Sequence, residues 1–359
     1  MKIVTVIGAR PQFVKAAVVS RALQQINNAN EVIVHTGQHY DANMSDIFFE
    51  EMNIPKPTHH LNIQESLHGA MTGKMIQGIE QILLEEKPDC LLVYGDTNST
   101  LAGALAASKL HIPIAHVEAG LRSFNMKMPE EVNRILTDRI STFLFCPTNQ
   151  AIENLHQEGY QNMNIQLHQT GDVMLDAAMY YHQKNTSTIL QQHGLEANNY
   201  FLCTIHRAEN TNDINRLKSI VSALNHLNEK HKVLVPLHPR TVKYIQEYDI
   251  KTNFTILQPV GYFDMLQLIA HAKMILTDSG GLQKEAFFFQ KFCVTLRDET
   301  EWVELVHNKC NVLTGANEDA ILKAVSYFES NSFPSHLSLY GNGKAGENIV
   351  SILNKSLEV

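Results

Sequence analysis

Short apolar runs alternate along the chain with longer stretches in which apolar residues return every three or four positions. The runs at 3–7, 31–36, 90–94, 114–117 and 142–147 show little alternation of apolar with polar residues. A strand buried on both faces has that pattern, so these runs predict a parallel sheet covered by helices. Between them, the stretch after Pro11 places Val14, Ala17, Val18 and Ala22 on one helical face, with proline in the first turn. The stretch after Thr97-Asn98-Ser99 places Leu101, Ala104 and Leu105 in the same way.

After Gly171-Asp172 the pattern begins again, with runs at 200–205, 232–237, 254–257, 274–277, 292–296 and 311–313. Strands alternating with helices predict α/β, doubly wound architecture. Two such sets predict two Rossmann-like domains facing a central cleft. The expected boundaries are 1–170 for the first domain and 171–343 for the second, with a last helix in 344–359 crossing back to the first. No solenoid repeat or low-complexity tract interrupts this plan.

A length of 359 residues suits two domains. Hydrophobic residues make up 44% and charged residues 18%, which is enough apolar surface for a packed core. The net charge of -8 argues against nucleic acid as a partner, although a locally basic pocket could still hold a small anion. No run approaches the roughly 18 apolar residues of a membrane helix. The apolar start at residues 3–7 is too short for a signal peptide and reads as a buried strand. The five cysteines are far apart, odd in number and without a CxxC pair. That argues against a zinc ribbon or a disulfide framework and makes the cytoplasm the expected compartment.

Ligands of open α/β sheets bind beyond the carboxyl ends of the strands, so the residues that follow each run matter most. After the first run comes Gly8-Ala9-Arg10-Pro11-Gln12-Phe13-Val14-Lys15. It lacks the GxGxxG pattern, yet Arg10 and Lys15 stand near a helix N-terminus, which suits an anion. An ordinary strand-to-helix turn explains it equally well. Gly95-Asp96-Thr97 follows another run and doubles as a helix cap. His116-Val117-Glu118-Ala119-Gly120-Leu121-Arg122 closes the next run, and Pro129-Glu130-Glu131 opens a helix whose first-turn acids also suit the helix dipole.

In the second half, Thr204-Ile205-His206-Arg207 puts a histidine and a cation at a strand end. Thr277-Asp278-Ser279-Gly280-Gly281 leads into a helix containing Glu285. Free amides after Ser279, at Gly280 and Gly281, suit a diphosphate, and Glu285 could accept hydrogen bonds from a ribose diol. A cleft would gather Asp96, Glu118, Glu130 and His206. That set suits general acid–base chemistry, including an elimination that expels diphosphate.

Taken in order, Gly8-Ala9-Arg10-Pro11, Gly95-Asp96-Thr97, His116 to Arg122, Pro129 to Arg134, His206-Arg207 and Thr277 to Gly281 resemble the non-hydrolysing UDP-N-acetylglucosamine 2-epimerase family over nearly the whole chain. The resemblance implies a GT-B-like fold, a homodimer, and no cofactor or metal. It implies interconversion of UDP-GlcNAc and UDP-ManNAc by loss of the carbon-2 proton, anti elimination of UDP to a 2-acetamidoglucal, and re-addition. By motif, Asp96, Glu118, Glu130 and His206 become the catalytic candidates. Arg10, Lys15, Ser279, Gly280, Gly281 and Glu285 become contacts to UDP.

Two departures stand out. Where common members carry Thr-Glu-Arg-Pro-Glu, this chain has Thr300-Glu301-Trp302-Val303-Glu304. Arg297 to Trp302 looks more like the branch acting on UDP-2,3-diacetamido-2,3-dideoxyglucuronic acid. The Gln-His-Arg segment of allosterically activated members reads Gln38-His39-Tyr40, which removes a cation expected for activation. A GT-B glycosyltransferase, a hydrolysing epimerase and a non-catalytic nucleotide-binding module are the competing readings.

Overall fold

A computed structural model describes residues 1–38, 52 and 54–357. The two sets of apolar runs fold into two separate parallel sheets. The first holds β1 (Lys2–Ile7), β2 (Asn30–His35), β3 (His59–His60), β4 (Cys90–Tyr94), β5 (Ile114–Val117), β6 (Phe143–Cys146) and β7 (Gln166–Gln169). Its order is β3-β2-β1-β4-β5-β6-β7. Its longer helices are α1 (Arg10–Leu23), α2 (His68–Glu86), α3 (Asn98–Lys109), α4 (Pro129–Ile140) and α5 (Asn149–Gln157), followed by α6 (Val173–Lys184). Val4, Val6, Val32, Val34, Leu91 and Val93 turn to one face and meet Met75, Ile79 and Leu83 of α2 and Ala102 and Ala106 of α3. Each such branched side chain taken out of water contributes roughly 1.5–3 kcal/mol, which holds the strand ends in register.

The second sheet holds β8 (Tyr200–Thr204), β9 (Lys232–Pro236), β10 (Thr255–Leu257), β11 (Met274–Thr277), β12 (Cys293–Thr295) and β13 (Asn311–Leu313), in the order β10-β9-β8-β11-β12-β13. Its longer helices are α7 (Ile214–Asn228), α8 (Pro239–Glu247), α9 (Tyr262–His271), α10 (Gly280–Phe288) and α11 (Glu318–Glu329). One face is packed by Leu217, Ile220 and Leu224 of α7 with Ile321 and Val325 of α11, and the other by Leu268 of α9 with Leu282 and Ala286 of α10.

The final helix, α12 (Ala345–Leu357), lies on α1. A Cβ at Gly346 would fall 2.6 Å from Val18 Cγ1, so only glycine permits that approach. Asp176 of α6 accepts a hydrogen bond from the Gly346 amide at 2.9 Å. The chain divides into two compact units, Met1–Ala177 with Ser338–Val359, and Ala178–Leu337. No helix among the described residues is long and apolar enough to cross a membrane.

The α/β, doubly wound class read from the sequence is what the chain forms. The sequence reading did not anticipate β3 and β7. Both are edge strands, and His59-His60 and Gln166-Leu167-His168-Gln169 have no apolar run because at least one side meets solvent. Each sheet has one place where the order of winding reverses. It lies between β1 and β4 in the first unit and between β8 and β11 in the second. The segments leaving those four strands are where a ligand crevice is expected.

Candidate active site

In the first unit, Gln12 of α1 joins the two sides of the reversal point. Its Oε1 accepts from the amides of Gly8 (2.8 Å) and Ala9 (3.0 Å). Its Nε2 donates to the Tyr94 carbonyl (2.9 Å) and to Thr100 Oγ1 (3.0 Å). The first two amides of this turn are therefore already bonded within the protein. Arg10 opens α1, and its side chain lies outside the described residues.

β4 is followed by Gly95, whose φ of 65° lies in the left-handed region that glycine enters without a steric penalty. Thr97 then caps α3 by accepting from the Thr100 amide. Between them stands Asp96, ion-paired with Arg134 of α4. Asn133 Nδ2 donates to the Asp96 carbonyl at 2.9 Å, so α4 grips this turn twice. β5 is followed by Glu118, a non-glycine residue at φ 69°. The Glu118 and Ala119 amides both donate to the Phe145 carbonyl, at 3.1 Å each, which fixes the turn. Strained backbone of this kind persists where surrounding bonds over-determine it, and it concentrates at ligand sites.

Glu118 is ion-paired with Lys15 of α1, and both side chains are nearly buried. A Cβ at Gly95 would sit 3.2 Å from both Glu118 Oε2 and Lys15 Nζ. The two turns that carry Asp96 and Glu118 are thus in contact. Lys15, expected on UDP, has a carboxylate of the same site as its partner. Glu130 is exposed in the first turn of α4. Its neighbour Glu131 is fully buried and accepts from the Ser123 amide (3.0 Å), the Phe124 amide (2.9 Å) and Arg134 Nη1 (2.6 Å). Burial pushes the Glu131 carboxyl up, but the Ser123 amide and Arg134 outweigh it and leave it below its ordinary value. Arg134 in turn stays charged, because Asp96 and Glu131 overcome the penalty of its burial.

Behind these turns, His116 of β5 and Asp138 of α4 are paired at 2.7 Å with no exposure of either side chain. Arg122 reaches Asp138 Oδ2 at 2.7 Å and holds Glu158 with two nitrogens, at 2.7 and 2.9 Å. Gln38 Oε1 accepts from the Ser99 amide (3.0 Å) and hydroxyl (2.7 Å). The residues that follow it in that segment, His39 and Tyr40, lie outside the described residues.

In the second unit, Asp278 is fully buried after β11 and accepts from the backbone amides of His206 (3.1 Å) and Arg207 (3.0 Å). His206 Nδ1 lies 3.2 Å from the same carboxylate, with the ring about half exposed. Asp278 thereby holds the β8 turn against the β11 turn across the second reversal point. Ser279 is the N-cap of α10 and accepts from the Leu282 amide at 3.4 Å. Gly280 faces Glu301, which accepts from Arg297 Nη1 at 2.9 Å, while Gly281 has open space where a Cβ would stand. Glu285 is buried in the second turn of α10. Trp302 is 4% exposed, and Lys284 Nζ stands 4.1 Å from its ring centroid, so the indole packs beneath a cation of its own domain.

Asp96, Glu118 and Lys15 come together in one unit, and His206, Ser279, Gly280, Gly281 and Glu285 all belong to the other. The sequence reading missed the supports: Gln12, His116, Glu131, Arg134, Asp138 and Asp278. One signal was available. Glu131, Arg134 and Asp138 fall at i, i+3 and i+7, so three charges share one helical face, which is rare unless that face is a buried network.

Comparison with known proteins adds a family. The family model for UDP-N-acetylglucosamine 2-epimerase matches residues 21–354. The chain is 54% identical over 357 residues to the UDP-2,3-diacetamido-2,3-dideoxy-D-glucuronate 2-epimerase of Pseudomonas aeruginosa, covering 99% of this chain and 100% of that one. Among solved structures, UDP-GlcNAc 2-epimerase of Methanocaldococcus jannaschii, in complex with UDP-GlcNAc and UDP, matches with a TM-score of 0.88 at 43% identity, covering 99% of this chain and 100% of that chain. UDP-GlcNAc 2-epimerase of Neisseria meningitidis, bound to UDP-GlcNAc, also matches with a TM-score of 0.88, at 31% identity and the same coverage.

Proposed function

The chain belongs to the UDP-N-acetylglucosamine 2-epimerase family, and from that premise we propose that it inverts carbon 2 of UDP-2,3-diacetamido-2,3-dideoxyglucuronic acid without consuming the nucleotide sugar. Its class is isomerase, and the glycosyltransferase reading falls away with the family. The observation that carries the chemistry is the contact between the Asp96 and Glu118 turns, which follow β4 and β5 beside the sheet's reversal point, each carboxylate paired with a cation. The 54% identity to an enzyme named for the uronic acid, together with Trp302 in place of the family arginine, favours that substrate.

A base removes the carbon-2 proton while the bond from carbon 1 to the diphosphate oxygen breaks, leaving a glycal and UDP. The oxygen of UDP then returns to carbon 1 as carbon 2 takes a proton on its opposite face. A proton on that carbon is barely acidic, so stabilising the leaving diphosphate must drive the step. Asp96, Glu118 and Glu130 are assigned to proton transfer, and His206 to the diphosphate. Arg10, Ser279, Gly280, Gly281 and Glu285 are assigned to UDP. Lys15 is assigned to Glu118, the group it is paired with. The reading also carries a cytoplasmic homodimer, tested by cell fractionation and light scattering.

The test is incubation in D₂O with each nucleotide sugar separately, following carbon 2 by NMR. Exchange and epimer formation with the uronic acid alone supports the proposal. Exchange with UDP-GlcNAc establishes the second reading, which the archaeal relatives favour. No exchange with either, despite UDP binding, overturns both. Asp96→Asn, Glu118→Gln and Glu130→Gln should each lower turnover about 10²-fold. Near-normal turnover in all three would remove the site assignment.

A further inference from the structure

We infer that His116 is a doubly protonated imidazolium that positions the Asp96 and Glu118 turns, held in that state by Asp138 and the Gly95 carbonyl. The inference rests on the proposed function only for what those two turns do.

The geometry is restrictive. His116 Nδ1 lies 2.7 Å from Asp138 Oδ1, and Nε2 lies 2.7 Å from the Gly95 carbonyl oxygen. A carbonyl oxygen only accepts. A neutral imidazole has one N–H, so it would set a lone pair against an oxygen in one of these two contacts. A second proton must therefore be present, on the ring or on Asp138. The other oxygen of Asp138 accepts from Arg122 Nη1 (2.7 Å) and the Gly120 amide (3.1 Å), which favours the carboxylate. The proton therefore belongs on the ring.

The surrounding charges permit this. His116 and Arg122 are balanced by Asp138 and Glu158, and an unbalanced cation there would be costly. Cys146 and Tyr160, which also face Asp138 and Arg122, have their acidities weakened by burial and then by the Asp138 charge, so they add no charge of their own.

The ring joins the two turns. Its acceptor, Gly95, directly precedes Asp96, and His116 itself is two residues before Glu118. The Gly95 carbonyl has no proton to release, so the chain from Asp138 through His116 is not a proton relay. His116 is a positioning residue.

Neutron diffraction on the full chain decides the charge without any substrate. Both ring nitrogens of His116 should carry deuterium, and one bare nitrogen overturns the inference. His116→Gln would set its amide oxygen against Asp138 or Gly95. Its turnover in carbon-2 exchange should fall roughly 10- to 100-fold, with the KM for nucleotide sugar and the affinity for UDP within about 3-fold. Wild-type turnover in that variant, or a crystal structure of it with the Gly95–Asp96 turn unmoved, overturns the positioning role. If wild-type enzyme exchanges no carbon-2 proton, the functional reading fails while the neutron and crystallographic outcomes still stand. If His116→Gln does not fold, Asp138→Asn, which removes the counter-charge, takes its place in the same assays.

Discussion

Adding one methyl group at Gly95 tests the contact on which the active-site reading depends. Gly95→Ala acts twice. First, φ is 65° there, and a non-glycine residue in the left-handed region costs roughly 1–2 kcal/mol. In a unit of this size that lowers the melting temperature by about 2–8 °C. Second, the new Cβ would stand 3.2 Å from both Glu118 Oε2 and Lys15 Nζ, inside ordinary van der Waals separation. Both charged tips must give way by a few tenths of an ångström. A misplacement of about 1 Å can lower a rate about 10²-fold, so this smaller one should lower turnover roughly 10-fold. UDP affinity should change little, because every residue assigned to UDP except Arg10 lies in the second unit. The assays are calorimetry, carbon-2 deuterium exchange and titration with UDP. Gly73→Ala is the control. Gly73 is exposed in α2 with nothing within 4 Å of a Cβ, so alanine there should stabilise the protein by about 0.5–1 kcal/mol. Wild-type stability and turnover in Gly95→Ala would refute the geometry. Intact turnover with lost UDP binding would refute the division of roles.

Two further outcomes follow from buried charges. Burial lifts the Asp176 carboxyl to about 6, so the folded state holds that proton more tightly than the unfolded chain. Its contribution to stability is therefore full below the unfolded value of 3.8 and is lost as pH rises through about 6, an upper bound of roughly 3 kcal/mol. Asp176→Asn keeps an acceptor for the Gly346 amide and lacks that loss. Urea unfolding should find it about 1–2 kcal/mol more stable than wild type at pH 7.5 and no more stable near pH 4; an advantage independent of pH would contradict this account. At Trp302, restoring the family arginine would place a second cation against the buried Lys284. Trp302→Arg should cost about 2–4 kcal/mol, and adding Lys284→Glu should recover about 1.5–3 kcal/mol of it in a double-mutant cycle. Additive effects would mean that the two residues do not interact.

The chain's apolar runs read correctly as buried parallel strands because covered strands leave an unmistakable pattern, and the last helix was legible from its own apolar periodicity. The polar edges β3 and β7 were not legible, since a strand with one open side need not be apolar. Asp96, Glu118, His206 and Ser279 could be nominated because a chemical residue after a buried strand is conspicuous in one dimension. Their partners could not. Gln12 meets Tyr94 across 82 positions of chain, and Asp278 meets His206 across 72. His116 looked like one more residue of an apolar run until the fold set a carboxylate against one ring nitrogen and a carbonyl against the other.

The sequence by itself determined the class of fold and the family, and it nominated the strand ends to which the chemistry is assigned. Those depend on local periodicity and on short motifs that persist in order. Tertiary structure alone decided which strands are neighbours and which cation stands on which carboxylate. It also decided that Lys15 faces Glu118 and that Trp302 lies under Lys284. Strand order and buried pairing are contacts between distant positions, and their energies depend on burial and geometry that no single stretch of sequence contains.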